Sequence, residues 1–303
     1  MIRVAVSDDK KSIFELYGMS TSLNFVSRED YFAKKFIPEN VVVNEVNGRI
    51  AASTQVDFYT MMLNGRKLAV SYIYGRFFDH TKGSKFINAL TNEVVDNQKY
   101  RTLVSLIPTS NPKEFARYGF EEIYQKRMYT ITRSQLENAS YQGVSKEFKI
   151  NDLMRLYNDF TSHFNGYLLR SKSYWLNLID LLQFKRYNLA VYYDEEKKPQ
   201  GYMIYYIEAG RVVVNEIVYN NGTALTRLLC YGLRLKHTIR VFVSENEDLA
   251  RAFPKLKYKL VTTMVARIND LEMFNQLFSS NVKSTREAFY LNSLPLFISE
   301  ESY

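Results

Sequence analysis

Residues with the chemistry to hold an anion follow the apolar run Leu68 to Phe78. That run is typical of a strand. The polar residues Asp79 to Gly83 that follow are typical of a loop, and a helical pattern begins near Phe86. The free N–H groups of a first helical turn and the positive end of its dipole would point into this loop, so a phosphate could bind there. Gly83 would let the ligand approach the backbone closely. A single glycine does not distinguish this site from an ordinary strand-to-helix connection, which is the favoured interpretation of the loop alone.

Other nucleophiles and metal ligands are few. The single cysteine, Cys230, lies in the apolar helical pattern LTRLLCYGLRL, which predicts a buried packing residue in a reducing compartment rather than a nucleophile. The three histidines, His80, His163 and His237, lack the short spacings of a metal site. We therefore expect no structural zinc.

Composition limits the class of protein further. The 303 residues are 46% hydrophobic, which suits two ordinary globular domains. The net charge of +8 allows attraction to anions, but the basic residues are dispersed, so nucleic acid is not an expected partner. No apolar run approaches the roughly 20 residues of a membrane span, and the N-terminal MIRVAVSDDKK lacks the apolar core of a signal peptide. A cytoplasmic protein without a membrane partner is the expectation.

The elements that would position the loop form a meander. Two Asn-Gly pairs, at 47–48 and 64–65, separate three strand-like runs, and Asn-Gly favours a type I′ hairpin turn. The three runs are Val41 to Val46, Ile50 to Met62 and Lys67 to Phe78. A helix, a buried strand, a short helix in PKEFARYGF and a long strand follow. This order predicts an α/β (α+β) layer with a mixed, mostly antiparallel sheet flanked by helices.

A comparable order of elements recurs later in the chain. We predict two lobes of similar build, residues 1–132 and 146–268, joined by the polar segment 133–145 and followed by a helix and tail over 269–303. The strand-to-helix junction of the second lobe, VYNNGTALTRLL, carries no basic residue before its helix and is interpreted as structural.

Several segments together resemble one known superfamily. They are SYIYG from Ser71, GSKFINAL from Gly83, PKEFARYGFEEIY, YLLRSKSYW around Trp175, and MVARINDLEMF. The chain resembles the Gcn5-related N-acetyltransferase (GNAT) superfamily, and specifically its tandem members of the enhanced-intracellular-survival (Eis) type. This resemblance implies acetyl transfer from acetyl-CoA to a primary amine, with two GNAT-like lobes, the catalytic site in the first and no cofactor loop in the second.

The resemblance also implies roles for particular residues. The strand end 75–78 would pair with the pantetheine arm, 82–85 would form the pyrophosphate loop, and 110–111 would lie beside the splayed neighbouring strand. The expected cofactor-binding residues are therefore Gly75, Arg76, Phe77, Phe78, Lys82, Gly83, Ser84, Lys85, Ser110 and Asn111.

Three departures from the family pattern accompany these roles. The loop is shortened, and large residues at 76–78 replace small ones, which predicts weakened cofactor binding. Phe115 stands where the family has the tyrosine that protonates the leaving thiolate, so Tyr118 is the candidate substitute. As a third departure, we expect the family's sterol-carrier-like third domain to be missing.

The apolar C-terminal run 289–298 is the last segment with a candidate role. In the family the terminal carboxylate is thought to act as a base in the first lobe, and here Tyr303 would supply it. The alternative is that the run only covers apolar surface.

Two functions of different kinds follow from these observations. The first is an acetyl-CoA-dependent N-acetyltransferase whose acceptor is a small-molecule or peptide amine, with homo-oligomer formation compatible with the sequence. The second is a non-catalytic GNAT-fold binding or regulatory protein, which the shortened loop and Phe115 favour.

Overall fold

The centre of the molecule is a mostly antiparallel β-sheet flanked by helices, the class that the sequence predicted, and this one sheet runs through both predicted lobes. The structure is a computed structural model that describes residues 1–19, 28–136, 140–184, 187–254 and 256–298. Within these residues the sheet has thirteen strands, in the order β1-β2-β3-β4-β5-β13-β6-β12-β11-β10-β9-β7, with β8 pairing on β3. The predicted fold class is therefore confirmed.

The strands and helices have the following bounds. The strands are β1 Ile2–Val4, β2 Val41–Val46, β3 Arg49–Leu63, β4 Arg66–Phe78, β5 Val104–Pro108, β6 Glu121–Thr132, β7 Val144–Ser145, β8 Tyr167–Leu168, β9 Asn188–Tyr193, β10 Pro199–Glu208, β11 Arg211–Tyr219, β12 Thr238–Ser244 and β13 Tyr258–Ile268. The helices are α1 Lys10–Met19, α2 Arg28–Asp30, α3 Lys85–Gln98, α4 Lys113–Ala116, α5 Ile150–Thr161, α6 Lys172–Phe184, α7 Gly222–Leu235, α8 Leu271–Phe278 and α9 Thr285–Phe289.

Both predicted hairpins of the first half form. Strands β2, β3 and β4 pair antiparallel in sequence order. Asn47 and Gly48 have φ values of 51° and 72°, and Asn64 and Gly65 have values of 48° and 77°. Positive φ at both central residues is the type I′ geometry that Asn-Gly favours, so local sequence determines this meander.

The two halves of the sheet exchange a strand. Strand β13, the last of the second half in sequence, pairs with β5 of the first half. Strand β6, the last of the first half, pairs with β12 of the second half, and β13 and β6 lie side by side. The lobe boundaries at 132 and 146 therefore stay a prediction. Each predicted lobe places one of its strands in the half of the sheet that the other lobe forms.

A parallel strand pair that opens at one end occurs in each half. Strands β4 and β5 pair in parallel from Val70 opposite Val104 to Tyr72 opposite Leu106. Strands β11 and β12 pair in the same way over 212–214 and 239–241. In both cases the strands continue beyond the last pair, so they diverge.

The C-terminal tail lies in the seam between the halves. The Asn165 N–H donates to Pro295 O (2.7 Å), and the Phe297 N–H donates to Asn165 O (3.1 Å). Leu296 packs with the first-half strands, while Phe297 packs with the helices α5 and α6. These tail residues are therefore part of the core and not a cover on its surface.

The structure also bears on smaller expectations. Cys230 is buried on α7, and burial raises the pKa of its thiol, which suits a packing residue. No helix among the described residues is long and apolar enough to cross a membrane. The described residues contain no cluster of histidine, cysteine and carboxylate side chains that could hold a metal ion.

Candidate functional site

Strand β4 carries a β-bulge at Gly75. Gln55 on β3 pairs with Tyr74, and Ser53 pairs with Phe77, so Thr54 alone faces both Gly75 and Arg76. Gly75 has a φ of 63°, and a Cβ atom there would lie 3.1 Å from the Tyr31 hydroxyl oxygen. The bulge therefore needs glycine for its backbone conformation and for the approach of Tyr31.

Replacing Gly75 with alanine is expected to lower the free energy of unfolding by about 2–3 kcal/mol. About 1–2 kcal/mol comes from a side chain at positive φ, and the rest from displacing the Tyr31 hydroxyl from its hydrogen bond. Gly48→Ala is the matched control, because Gly48 has a φ of 72° but open space around its Cβ position. Urea denaturation that gives equal losses for the two variants would show that contact with Tyr31 adds nothing.

Beyond the bulge, one edge of β4 is open. The last parallel pair with β5 is Tyr72 opposite Leu106. Strand β5 instead continues its pairing with β13, since the Thr109 N–H donates to Thr263 O (3.0 Å). Among the described residues the backbone of 73–78 has no strand partner on this side, so an extended ligand could pair with it. Ser110 and Asn111, which follow β5, are exposed beside this gap.

An ion pair spans the same gap. Arg76 Nη1 lies 2.6 Å from Glu114 Oε1 on α4, and its guanidinium lies 4.7 Å from the centroid of the Phe115 ring. The Nε and Nη2 atoms of Arg76 are buried and have no hydrogen-bond partner in the part of the chain that the structure describes. Arg76 thus connects β4 to α4 across the opening. The sequence predicted that Arg76 contacts the cofactor directly, and this contact is possible only if the ion pair with Glu114 separates.

Removing the charge of Glu114 is expected to tighten the binding of CoA. Glu114 is 42% exposed, so the pair contributes about 0.2–1 kcal/mol, which corresponds to roughly 1.4- to 5-fold in affinity. Titration calorimetry of Glu114→Gln measures this change. Asp96→Asn, which breaks the exposed Lys99–Asp96 pair at 3.3 Å, is the control with no expected change. Weaker binding by the Glu114 variant would contradict the role of the pair as a barrier.

The loop between β4 and α3 uses much of its own hydrogen-bonding capacity. The Asp79 carboxylate accepts from the Thr81 hydroxyl (2.6 Å) and from the Thr81 N–H (3.0 Å), and the hydroxyl is the main cause that holds the pKa of that carboxyl below its usual range. Lys82 Nζ lies 3.3 Å from Asp79 Oδ2, and the Lys82 and Gly83 N–H groups donate within the loop. The donors left for an anion are those of the first turn of α3, which begins at Ser84 and Lys85. A carboxylate beside them would repel a pyrophosphate, in line with the predicted weak binding.

The remaining predicted site residues are Phe77, Phe78, Tyr118 and Tyr303, and the side chains of the first three make other contacts within the protein. The Phe77 ring packs 4.5 Å from Tyr17 and 5.3 Å from Tyr31, while the Phe78 ring packs 4.2 Å from His80. The Tyr118 hydroxyl accepts from Arg117 Nη2 (2.7 Å) and donates to Asn88 on α3 (3.2 Å). Tyr118 thereby connects α4 to α3, and its role as an acid stays a prediction. Tyr303 lies outside the described residues.

A cleft of about 320 Å³ lies on the other face of the sheet. Val56 packs with α3, so the side chains on either side of it in β3 point to the opposite face. The first half contributes Lys34, Lys35, Ile37, Asp57, Tyr59 and Tyr74, and helix α6 contributes Tyr174, Asn177, Leu178, Asp180 and Leu181. The cleft therefore needs both halves of the chain.

Asp57 is the centre of a hydrogen-bond network in this cleft. Its carboxylate accepts from the Tyr74 hydroxyl (2.6 Å), from Gln55 Nε2 (2.9 Å) and from Asn40 Nδ2 (2.9 Å). Three donors hold the carboxylate in one orientation. The network extends to the bulge, because the Tyr31 hydroxyl near Gly75 donates to Gln55 Oε1 (2.6 Å). Burial and the Asp57 charge raise the pKa of Tyr31 and of Tyr74, so both stay protonated donors.

Sequence reasoning did not find Asp57 or its cleft. Asp57 lies within the run Ile50 to Met62, which was interpreted only as a strand. The signal that could have pointed to it is one carboxylate inside an apolar strand, which burial makes costly unless it is paired or functional.

Comparisons with known proteins agree with this architecture. Residues 166–268 match a family model described as an acetyltransferase (GNAT) domain. No curated protein matches the sequence. A probable N-acyltransferase from Enterococcus faecalis has 18% identity and a TM-score of 0.73, over 90% of this chain and 73% of that one. Eis1 from Mycobacterium abscessus has 14% identity and a TM-score of 0.66, over 90% and 75%.

A third solved structure is that of a protein with a bound acyl-CoA. It is N-myristoyltransferase from Saccharomyces cerevisiae with myristoyl-CoA, with 10% identity and a TM-score of 0.61, over 89% of this chain and 78% of that one. At these identities the likeness concerns the fold alone. The chain has the GNAT fold across nearly its whole length, and residues 166–268 also match the GNAT domain model in sequence.

Proposed function

We propose that this protein transfers an acyl group from an acyl-CoA, with acetyl-CoA as the donor, to a primary amine, in the manner of tandem acetyltransferases of the Eis type. One observation carries the proposal. The bulged, open edge of β4 and the Asp57 cleft lie on either side of the same strand end, and the Tyr31–Gln55 hydrogen bond connects them. Acyl transfer needs two such adjoining sites, because the donor and the acceptor must meet in one geometry.

The residues present fit an acyl-CoA in part. The unpaired edge of 73–78 suits the amide groups of the pantetheine arm, and the first turn of α3 offers N–H donors to a phosphate. Asp79 and the Arg76–Glu114 pair oppose this binding, so we expect an affinity weaker than that of a loop with more free donors. When bound, acyl-CoA supplies an acyl group activated as a thioester.

The chain's own residues would prepare the acceptor. An amine reacts only as the neutral base, so an ammonium group must first lose a proton. The Asp57 carboxylate faces the cleft and could take that proton. Tyr74, Gln55 and Asn40 hold the carboxylate in one orientation, which preserves its geometry between turnovers.

A second function is favoured by a different observation. The Arg76–Glu114 pair crosses the gap in which the donor would lie, and Phe115 beside it has no proton to give. A non-catalytic GNAT-fold protein that binds a ligand in the Asp57 cleft would show these features and no acyl transfer.

Two measurements on the unmodified protein separate the two functions. Titration calorimetry with CoA tests donor binding, and detection of free thiol with acetyl-CoA and a mixture of primary amines tests transfer. Amine-dependent thiol release supports the enzyme. No heat with millimolar CoA, together with no thiol release, would leave the binding protein as the function.

A further inference from the structure

The charges of the Asp57 cleft do not match a polycation. Of its two carboxylates, Asp180 is paired with Lys34, with 2.7 Å between Asp180 Oδ2 and Lys34 Nζ. Lys35 also lines the cleft, with its Nζ 5.8 Å from the centroid of the Tyr74 ring. Two lysines therefore border a space in which Asp57 is the carboxylate without an ion pair to a lysine or arginine among the described residues.

The rest of the cleft is apolar or aromatic. Ile37, Leu178 and Leu181 contribute aliphatic surface. The Tyr59 ring contacts the Tyr174 ring across the two halves, with 6.4 Å between centroids and an interplanar angle of 71°. Tyrosine walls offer ring faces that attract an ammonium group and flat surface for an aromatic body.

From these observations we infer that the acceptor is a monoamine with an aromatic or other apolar body. Its single ammonium group lies against Asp57, and its body lies between the tyrosine wall and the leucines of α6. This inference rests on the proposed function, because the bound amine is an acceptor only if the protein transfers acyl groups. The preference for binding one amine over another does not depend on turnover. A polyamine is disfavoured, because its further ammonium groups would lie near Lys34 and Lys35 and repel them.

The test compares 2-phenylethylamine with spermidine, as ligands by titration calorimetry and as acceptors by thiol release from acetyl-CoA. We expect the wild-type protein to prefer 2-phenylethylamine by at least about tenfold in affinity and in kcat/KM. Asp57→Asn should weaken the binding of 2-phenylethylamine by about tenfold or more, the cost of losing one charge-assisted contact. Lys34→Glu should raise the affinity for spermidine severalfold, because it frees Asp180 from its ion pair and adds a third carboxylate to the cleft.

Lys99→Glu is the matched control for Lys34→Glu. Lys99 is also an exposed lysine in an ion pair, with Asp96, but it lies just beyond the end of α3 and away from the cleft. The Lys99→Glu substitution makes the same change of charge as Lys34→Glu, and it should leave the preference between the two amines unchanged. A gain for spermidine in this control equal to that of Lys34→Glu would make the effect one of overall charge and overturn the inference.

The outcomes separate this inference from the proposed function. If no amine is acetylated but 2-phenylethylamine still binds better than spermidine and needs Asp57, the inference stands and acyl transfer fails. If amines are acetylated but spermidine is preferred, or if Asp57→Asn binds 2-phenylethylamine as the wild type does, acyl transfer stands and the inference is wrong.

Discussion

Asp57→Asn is expected to lower kcat/KM for amine acetylation by about 10²–10⁴-fold, the usual contribution of a positioned general base. The variant should fold, because the asparagine oxygen can still accept from Gln55 and Asn40 at the Oδ1 position. The Tyr74 hydroxyl can rotate to accept from the new amide, which replaces the oxygen to which it donates. Because the hydrogen bonds around position 57 can be kept, a lower rate would result from loss of the base and not from a change in the fold.

Measurements beside the rate decide whether Asp57 acts as a base. The affinity for CoA and the melting temperature should stay near their wild-type values, and activity should recover partly at high pH, where more amine is already neutral. Tyr74→Phe removes one donor but keeps the carboxylate, so it should cost far less than Asp57→Asn. An Asp57→Asn variant with the wild-type rate and pH profile would show that another group accepts the proton.

Arg170→Met is expected to lower the free energy of unfolding by about 3–5 kcal/mol. Arg170 and Glu216 form a two-point ion pair of 2.7 and 2.8 Å, with side chains 0% and 1% exposed. The variant would leave the Glu216 carboxylate buried without its cation, and only hydrogen bonds such as that from Tyr202 (2.6 Å) would remain. Urea denaturation gives the loss directly if the chain unfolds in one transition.

The double variant Arg170→Met with Glu216→Leu is the informative control for this ion pair. It removes both charges, so it should recover much of the stability that the single variant loses. If the double variant is as unstable as Arg170→Met, packing of the guanidinium on neighbouring rings would account for the loss. Arg170 lies 4.3 Å from the Tyr157 ring centroid and 5.0 Å from that of Trp175.

Local signals in the sequence were sufficient for part of this molecule. The Asn-Gly turns predicted the meander, because turn geometry depends on only two residues. The exchange of β6 and β13 has no local signal, since each strand has the same apolar pattern in either half of the sheet. Sequence could place Gly75 and Arg76 at a strand end, but it could not show the bulge or the partner Glu114 on α4.

The Asp57 site was beyond sequence for a similar reason. Its three hydrogen-bond donors come from two strands and from a short helical turn at 38–40. Its cleft is completed by α6, more than a hundred residues later in the chain. A carboxylate acquires a function from such neighbours, and no spacing in the sequence records them.

The strand exchange has a consequence for synthesis on the ribosome. Ile107 on β5 pairs with Val265 on β13, about 160 residues later. At a translation rate of roughly 5–20 residues per second, β13 is made about 8–30 s after β5. The edge of β5 that pairs with β13 has no partner strand during that time. An apolar strand with an unpaired edge is a site for association with other chains during that interval. Newly made chains should therefore depend on chaperones until β13 emerges, and slower translation should lengthen the time at risk.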